Sequence, residues 1–427
     1  MSQATRILGA LAVGLLLGIF SARYGAAWVE NVIAVAEPIG ALWLDALRMT
    51  IVPLIVSLLV TGIATSAEAV RASRLAFRAV LLFLAVLWSG AVLSAFLTPL
   101  LLRLWPMPTE AAGKLKAALS SSTEKLGEIP TVGQFLSSIV PTNPIAAAAE
   151  DAILPLIFFT VCFAFALTRL PKEQRDLLTA FFRALGDAML VIIGWVLWLA
   201  PIGVFALAYV VGARAGLSAF GALIHYVLVV ALVGAVVWAA AWPLAMFGAR
   251  VGPRAFTRAM GPSHAVAIST QSSLASLPAM LGGAEKLGVP VAASGVTLPL
   301  AVALFRATGP AMNLAVAIYV ANWFGVPLGP MQLAAGVVIA STTTLGAISL
   351  PGSVSFISSI APICIAMGVP IEPLVLLVAV ETLPDIIRTT GNVAMDVAAT
   401  ATVAKRTGFD ETSPITEQDQ LLQEEPA

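Results

Sequence analysis

Five polar side chains are spaced along the last apolar segment of the sequence in a pattern that can bind a charged solute. In chain order they are Glu381, Asp385, Arg388, Asn392 and Asp396. At 100° per residue these positions share one side of a helix, and Thr389 lies at the edge of that side. A stripe that only faces solvent is the alternative. Because the other side of the segment is apolar, we favour a polar cavity inside the protein.

Arg388 and Asp385 indicate what such a cavity would bind. The planar guanidinium of an arginine can hold a carboxylate by two parallel hydrogen bonds, and an aspartate one helical turn earlier can receive an ammonium group. A zwitterion with an additional carboxylate would use both side chains. An internal ion pair between Asp385 and Arg388 that only neutralises the helix is the alternative.

Arg306 is a further charge within an apolar segment, residues 297–313. Gly309 and Pro310 follow it and predict an unwound or kinked helix, whose free carbonyl groups could coordinate a cation or accept the guanidinium. An arginine so far from both ends of the segment needs a buried partner. We expect that partner to be Asp396.

The composition around these residues is that of a membrane protein. Of the 427 residues, 59% are hydrophobic and 11% are charged, whereas about 25% are charged in soluble domains. This argues against a water-soluble enzyme, and the balance of 23 basic and 23 acidic residues gives no reason to expect a nucleic-acid partner. The only cysteines, Cys162 and Cys364, lie in apolar runs. We expect both to be small core residues that form neither a disulfide nor a metal site.

Eight apolar segments are long enough to be membrane spans. They cover residues 7–22, 38–65, 79–104, 131–168, 184–213, 218–249, 292–322 and 371–403. Two more segments, 262–283 and 333–368, are interrupted near their middles by small polar residues and proline. Non-helical backbone at membrane depth is tolerated only where it is buried in protein or lines a cavity, so these interruptions predict binding sites, although ordinary kinks are the alternative.

Lysine and arginine are concentrated in alternate loops, which places both termini on the cytoplasmic side of the plasma (inner) membrane. We expect the first apolar run to be a retained anchor rather than a cleaved signal peptide. Residues 407–427 are acidic and poor in apolar residues, and we expect a disordered tail.

Enzyme signatures are missing from the sequence. It contains neither a His-Glu-x-x-His motif nor a P-loop, and its two histidines, His225 and His264, fit ordinary hydrogen-bonded side chains better than metal ligands. We therefore expect no enzyme activity and no cofactor.

Several short motifs, taken in order, resemble the dicarboxylate/amino acid:cation symporter family, which includes the glutamate and aspartate transporters. The resemblance extends to about residue 406 and is carried by Ile139–Pro144, Leu154–Phe159, Ala200–Leu207, Thr270–Pro278, Leu298–Leu300, Leu350–Gly352 and Asp385–Asp396. Each motif is weak alone, but their order and spacing together are specific.

The resemblance implies an all-α integral membrane protein with eight transmembrane helices, two re-entrant helical hairpins and an inverted-repeat transporter fold. It implies a homotrimer in the lipid bilayer. The scaffold would comprise approximately residues 1–78 and 131–213. The transport part, approximately 79–104 and 218–406, would slide across the membrane.

The same resemblance implies where a small anionic or zwitterionic solute binds. The family's residues carry over to Ser272 and Ser273 in the first hairpin, to Leu350, Pro351, Gly352 and Ser353 at the tip of the second, and to Asp385, Arg388, Thr389 and Asn392. Since Asp385 would have no ammonium group to meet in a plain dicarboxylate, an acidic amino acid is the better match.

The chain departs from the family pattern where sodium is normally bound. The family's seventh span reads Asn-Met-Asp-Gly-Thr, whereas this chain has Phe305-Arg306-Ala307-Thr308-Gly309, and a Thr-Ser pair in the third span becomes Trp88-Ser89. In the first hairpin, the family's arginine becomes Gln271 and a serine becomes Leu274. Sodium needs several oxygen ligands, so we expect at least one site to be lost. The remaining candidates for handling a coupling cation are Ser89, Arg306, Glu381, Asn392 and Asp396, of which Asp396 is the possible sodium ligand.

Arg306 suggests a hypothesis for this departure. It would place a tethered positive charge where the ion was lost, so that transport is coupled to protons through a carboxylate such as Glu381, or is uncoupled. The alternative is that Arg306 points elsewhere and the remaining sites still bind sodium. An anion-conducting channel, a non-transporting receptor and an intramembrane enzyme are further function classes that the sequence leaves open.

Overall fold

The computed structural model describes residues 3–24, 28–72, 74–107, 140–150, 152–215, 218–346 and 352–407. Within these residues every regular element is helical. The α-helices are α1 Gln3–Tyr24, α2 Val29–Arg48, α3 Ile51–Ala72, α4 Arg74–Leu104, α5 Pro144–Ala149, α6 Ile153–Leu167, α7 Lys172–Trp198, α8 Ala200–Ala215, α9 Ser218–Ala239, α10 Ala241–Pro243, α11 Pro253–Thr270, α12 Leu277–Lys286, α13 Val291–Leu304, α14 Gly309–Phe324, α15 Pro330–Gly346, α16 Gly352–Ala366, α17 Pro373–Val378 and α18 Thr382–Thr407. A π-helical turn, Leu244–Gly248, follows α10.

The first helices pack on one another through small residues and a few polar links. α1 lies along α8, and α2 also packs on α8. Gly18 of α1 is so close to α8 that a Cβ built on it would overlap the carbonyl oxygen of Tyr209. Two hydrogen bonds of 3.1 and 3.0 Å join Arg214 of α8 to Glu37 of α2. The glycine thus sets how closely α1 and α8 approach each other.

α18 lies at the centre of the second half of the molecule. It contacts α4, α9, α11, α12 and α13. Their apolar side chains form a hydrophobic cluster, here called the α18 cluster, whose members include Phe83, Val233, Phe256, Met280 and Val393. α14 is enclosed beside it, because α4, α9, α15 and α16 all pack against it. Every residue of α14 except Asn322 is buried.

The predicted interruption in 262–283 is confirmed. α11 ends at Thr270, α12 begins at Leu277, and the two helices pack on each other. Gln271, which ends α11, adopts a left-handed conformation with φ of 51°. The predicted interruption in 333–368 falls on 347–351, which lie outside the described residues, and α15 and α16 on either side of it are in contact.

Four segments predicted to be continuous are divided in the structure. Residues 38–65 divide into α2 and α3, 184–213 into α7 and α8, and 371–403 into α17 and α18, and the described part of 131–168 divides into α5 and α6. The predictions for 38–65 and 184–213 were wrong because apolar composition gives the extent of a segment but does not show where the helix within it ends. Pro53 and Pro201 lie in the first turn of the helices that follow these bends, a position that suits proline.

Four stretches of the described chain are long and apolar enough to cross a membrane: Arg74–Leu104, Lys172–Trp198, Gly221–Gly248 and Val291–Phe324. Shorter apolar helices lie within α1, α3, α6, α8 and α16. The protein is therefore all-α with several helices suited to spanning a membrane. The count of eight spans with two re-entrant hairpins stays a prediction.

The two cysteines have different surroundings. Cys364 is fully buried in α16, as predicted, whereas Cys162 is exposed on α6. The prediction for Cys162 was wrong because an apolar run in a membrane protein has a face that does not pack inside the chain.

Candidate substrate site

The polar stripe of α18 faces the interior of the protein. Asp385, Arg388, Thr389, Asn392 and Asp396 are all buried, with 6% or less of each residue exposed. Glu381 is also buried, and lies just before α18, where its carbonyl oxygen accepts a hydrogen bond from the backbone N–H of Asp385. The alternative of a solvent-facing stripe is therefore wrong. Buried charges of this kind require partners.

Arg388 has three such partners. Its terminal nitrogens donate to Glu381 Oε1 at 2.6 Å and to Asn313 Oδ1 at 2.6 Å, and its Nε lies 3.3 Å from Asp385 Oδ1. The internal Asp385–Arg388 pair considered above is thus present, although it is the longest of the three contacts. A guanidinium carries five N–H donors, so these contacts leave two for a further acceptor.

Glu381 is held from two sides. Its Oε1 receives Arg388, and its Oε2 lies 3.4 Å from the hydroxyl of Tyr226, which donates from α9. Tyr226 is fully buried and packs edge to face against Tyr319 of α14, with ring centroids 5.3 Å apart. α9 and α14 therefore both support the acid that binds Arg388.

A break between α13 and α14 faces the same stripe. Asn392 Oδ1 accepts hydrogen bonds from the backbone N–H and the hydroxyl of Thr308, at 2.9 and 2.8 Å. The Thr308 hydroxyl also lies 3.0 Å from the carbonyl oxygen of Arg388. A Cβ built on Gly391 would lie only 2.6 Å from Thr308 Cγ2. The break is thus fitted closely against α18.

The predicted unwinding near Gly309 and Pro310 is confirmed, with one change. α13 ends at Leu304 and α14 begins at Gly309, so Pro310 lies in the first turn of a new helix rather than at a kink. The ring of Phe305 stacks on Phe83 of α4 with centroids 4.4 Å apart. The side chain at the start of the break is therefore directed into an apolar contact.

Arg306 is half-buried in this break, where Asp385 and Asp396 attract its charge and Arg388 repels it. Asp396 is completely buried, and neither of its carboxylate oxygens has a hydrogen-bond partner among the described residues. The expected direct pairing of Arg306 with Asp396 was therefore wrong, and the attraction acts over a longer distance. The sequence does not show how far apart Arg306 and Asp396 lie, because their separation depends on how two helices pack.

The structure describes only some of the residues predicted at the two hairpin tips. Ser272 and Ser273 lie in the turn between α11 and α12, and the neighbouring Gln271 donates from Nε2 to the carbonyl oxygen of Thr382 at 3.2 Å. Within the described chain neither serine makes a hydrogen bond to the α18 stripe. Leu350 and Pro351 lie outside the described residues, and Gly352 and Ser353 begin α16.

Ser89 is not brought to the break. Its hydroxyl donates to the carbonyl oxygen of Ala85 in its own helix, and the residue is exposed. The neighbouring Gly90 is the residue that faces Ala307, and Ser94 donates to the carbonyl oxygen of Ala311 at 2.7 Å.

The break supplies few side-chain oxygens for a cation. Phe305 and Ala307 have no side-chain oxygen, and no group of three or more His, Cys, Asp and Glu residues in the described chain is arranged to hold a metal ion. Asp396 supplies one carboxylate, whereas sodium needs several oxygen ligands. Arg306 places a positive charge within the break itself.

Sequence reasoning missed three residues of this site: Thr308, Asn313 and Tyr226. An amide inside the apolar run of α14 was a usable signal for Asn313, because a buried amide requires a hydrogen-bond partner. The roles of Thr308 and Tyr226 depend on which helices pack together, and no local pattern reveals that.

Comparisons with known proteins identify a family and several relatives of this chain. The family model described as "Sodium:dicarboxylate symporter family" matches residues 4–406. A "Proton/glutamate-aspartate symporter" of Escherichia coli (strain K12) is 28% identical over 409 residues, covering 95% of this chain and 92% of the relative. A "Proton/sodium-glutamate symport protein" of Bacillus subtilis (strain 168) is 28% identical over 405 residues, covering 93% and 92%. A "C4-dicarboxylate transport protein" of Rhizobium etli is 26% identical over 408 residues, covering 94% and 88%.

Proposed function

The chain belongs to the sodium:dicarboxylate symporter family, and on that premise we propose that it is a secondary transporter of acidic amino acids or related C4-dicarboxylates. It is a transporter and not an enzyme. The proposal rests chiefly on the Arg388 guanidinium, which is buried beside Asp385 and has N–H donors left over for a carboxylate.

The substrate class follows from the two charges side by side. Arg388 would bind the side-chain carboxylate of the solute and Asp385 its ammonium group. Thr389 lies one helical turn after Asp385, and Asn392 lies one turn after Arg388, and both are buried. Ser272, Ser273 and residues 350–353 would close the site from the two hairpin tips. The names of the relatives include both glutamate-aspartate and C4-dicarboxylate transport, which supports this range of solutes.

Charge balance supports uptake together with a cation. The buried set contains two positive side chains, Arg306 and Arg388, and three acids, Glu381, Asp385 and Asp396. Its formal charge is therefore −1 before any substrate enters. An anionic solute would add more negative charge in a poorly solvated place, so a bound proton or cation would lower the cost.

We propose that Arg306 replaces an ion at the break and that coupling is to protons, with an uncoupled carrier as the alternative. The support is the missing side-chain oxygens of Phe305 and Ala307 and the electrostatic interaction of Arg306 with two acids. A sodium-independent carrier would follow, with Glu381 as one acid able to take a proton.

Movement of a transport part relative to a scaffold is proposed from the packing. Residues 79–104 and 218–406 would form that part, with eight spans and two re-entrant hairpins, in a homotrimer of the inner (plasma) membrane with both termini cytoplasmic. The α18 cluster draws its members from α4, α9, α11, α12, α13, α14 and α18, which supports grouping these helices together. α15 contacts α3 and would lie at the moving boundary.

Calorimetry on the purified chain tests the substrate site. We expect L-aspartate, L-glutamate or succinate to bind, and Arg388→Ala to abolish binding, a loss of at least about 100-fold for a charge-assisted bidentate contact. Arg214→Ala is the matched control, because Arg214 also pairs with a glutamate but lies on α8, away from the site. Asp385→Asn should weaken L-aspartate more than succinate. Wild-type affinity in Arg388→Ala would show that the stripe is structural.

The same titrations in sodium chloride and in choline chloride test the coupling ion. We expect equal affinities in the two salts for the wild-type chain. A strict requirement for sodium would contradict the proposed role of Arg306, while leaving the substrate site intact.

A further inference from the structure

An asparagine inside the apolar helix α14 has two hydrogen-bond donors without a partner. Asn313 is 4% exposed, and Nη1 of Arg388 donates to its Oδ1 at 2.6 Å. Because a guanidinium can only donate, this contact fixes which end of the amide is the oxygen and which is the nitrogen. The nitrogen, Nδ2, makes no hydrogen bond within the described residues. Buried amide donors are normally satisfied, so these two N–H groups call for an acceptor from outside the described chain.

The unused donors of Asn313 lie beside those of Arg388. The contacts of Arg388 with Asn313, Glu381 and Asp385 leave one N–H on each of its two terminal nitrogens. Oδ1 and Nδ2 belong to the same planar amide, so Nδ2 lies close to the nitrogen that donates to Oδ1. A carboxylate has two oxygens and accepts several hydrogen bonds. One solute carboxylate can therefore accept from both side chains.

The neutral amide also suits an anionic solute better than an acid at position 313 would. Arg388 already contacts two carboxylates, those of Glu381 and Asp385, so these three side chains together carry a formal charge of −1. An acid at position 313 would make the local charge −2 and would present no donor to a solute when ionised. Asparagine adds no charge, and it supplies both an oxygen for Arg388 and two N–H groups.

We propose that Asn313 is a substrate-binding residue, which donates from Nδ2 to the carboxylate that Arg388 binds and makes the site selective for a carboxylate over a carboxamide. This inference rests on the proposed function, because it requires an acidic solute at Arg388. A carboxamide offers one oxygen, and its NH₂ group would face the donors of the site and leave them unpaired. Sites with buried donors discriminate strongly against such a ligand. L-Aspartate is therefore preferred to L-asparagine, although the two solutes have nearly the same shape.

Asn313→Leu removes the amide at nearly the same volume. We expect L-aspartate to bind at least about tenfold more weakly by calorimetry, which is the effect of losing a hydrogen bond to a charged group. Asn322→Leu is the matched control, because Asn322 lies on the same helix but is exposed. It should leave the affinity unchanged.

A second variant separates binding of the solute from positioning of Arg388. Asn313→Asp combined with Glu381→Gln leaves the formal charge of the site unchanged and keeps an oxygen acceptor for Arg388 at both positions. It moves the amide donors from position 313 to position 381. We expect L-aspartate to bind at least about tenfold more weakly to this double variant, while L-asparagine, measured by competition, loses no affinity. The preference for the carboxylate thus becomes smaller.

Three results would contradict these expectations in different ways. Wild-type affinity for L-aspartate in Asn313→Leu would overturn the proposal. An unchanged preference in the double variant would show that Asn313 only positions Arg388, and would overturn the proposal even if Asn313→Leu binds weakly or does not fold. Failure of the wild-type chain to bind any acidic solute would instead contradict the proposed function, on which this inference rests.

Discussion

At the scale of single residues, the environment of Arg388 explains how one side chain can hold helices together and still offer hydrogen-bond donors to a solute. Three partners fix the guanidinium from α14, from α18 and from the turn before α18. This arrangement positions the remaining donors before a solute arrives, which reduces the entropy cost of binding. Glu381 also competes with a solute carboxylate for the positive charge of the Arg388 guanidinium.

That competition gives a prediction for Glu381→Gln. The glutamine keeps the shape and a hydrogen-bonding oxygen, but the formal charge of the buried set changes from −1 to zero. We expect L-aspartate to bind about tenfold more tightly at neutral pH, equivalent to about 1.4 kcal/mol. The affinity of the wild-type chain should increase on acidification, as a buried acid takes up a proton. The variant should show a smaller increase, measured by calorimetry across a pH series.

Glu37→Gln is the matched control, because Glu37 also pairs with an arginine but lies on α2. It should leave affinity and pH dependence unchanged. Weaker binding in Glu381→Gln than in the wild-type chain would show that Glu381 supports Arg388 without competing.

Individual residues differ in how well the sequence predicts them. The buried stripe was predictable because its spacing is that of one helix face. Thr308 and Gly391 were not, since their contact depends on the packing of two helices about 80 residues apart in sequence. The distance of Arg306 from Asp396 also depends on that packing.

At the scale of helices, α1 and α8 illustrate how one glycine sets a contact. Gly18 has no room for a Cβ, whereas Gly9 of the same helix has nothing within 4 Å of one. Alanine is favoured over glycine in a helix by about 1 kcal/mol. We therefore expect Gly9→Ala to raise the midpoint of thermal unfolding slightly in detergent. Gly18→Ala should lower it, at a cost of about 1–3 kcal/mol.

Gly9→Ala and Gly18→Ala are the same chemical change, so opposite shifts of the unfolding midpoint would report the packing at each position. Equal increases in both variants would mean that α1 does not pack on α8 in the membrane protein as purified.

Helix ends show where sequence reasoning succeeds. Small polar residues and proline together predicted the turn after α11, and Gly309 with Pro310 predicted the break before α14. The divisions at residues 49–50 and 199 carry only a nearby proline inside an apolar run, which is also compatible with a continuous helix. Whether such a segment forms one helix or two depends on how it packs against neighbouring helices, which the local sequence does not show.

At the scale of the whole molecule, the proposed movement predicts a change in accessibility. Ala275 is exposed in the turn between α11 and α12. In a chain with Cys162→Ser and Cys364→Ser, Ala275→Cys should react with a membrane-impermeant maleimide from either side of a proteoliposome. We expect the reaction rate on each side to change by several-fold when L-aspartate is supplied.

Ala149→Cys is the control from the proposed scaffold, where α5 ends at an exposed residue. Ala149→Cys should react with the maleimide from one side only, at a rate that does not change when L-aspartate is added. Labelling of Ala275→Cys from a single side under every condition would contradict a sliding transport part.

The close fit of Gly391 against Thr308 has a consequence for how this sequence can change over time. Neither position can gain volume alone, because a methyl group on the glycine would meet the threonine methyl at 2.6 Å. A larger residue at 391 requires a smaller residue at 308 and a small shift of Trp238, whose Cβ would lie 3.1 Å away. Losing the threonine would leave Asn392 with fewer hydrogen bonds. Evolution of the two positions is therefore expected to be correlated, with few viable single steps between one pair of residues and another.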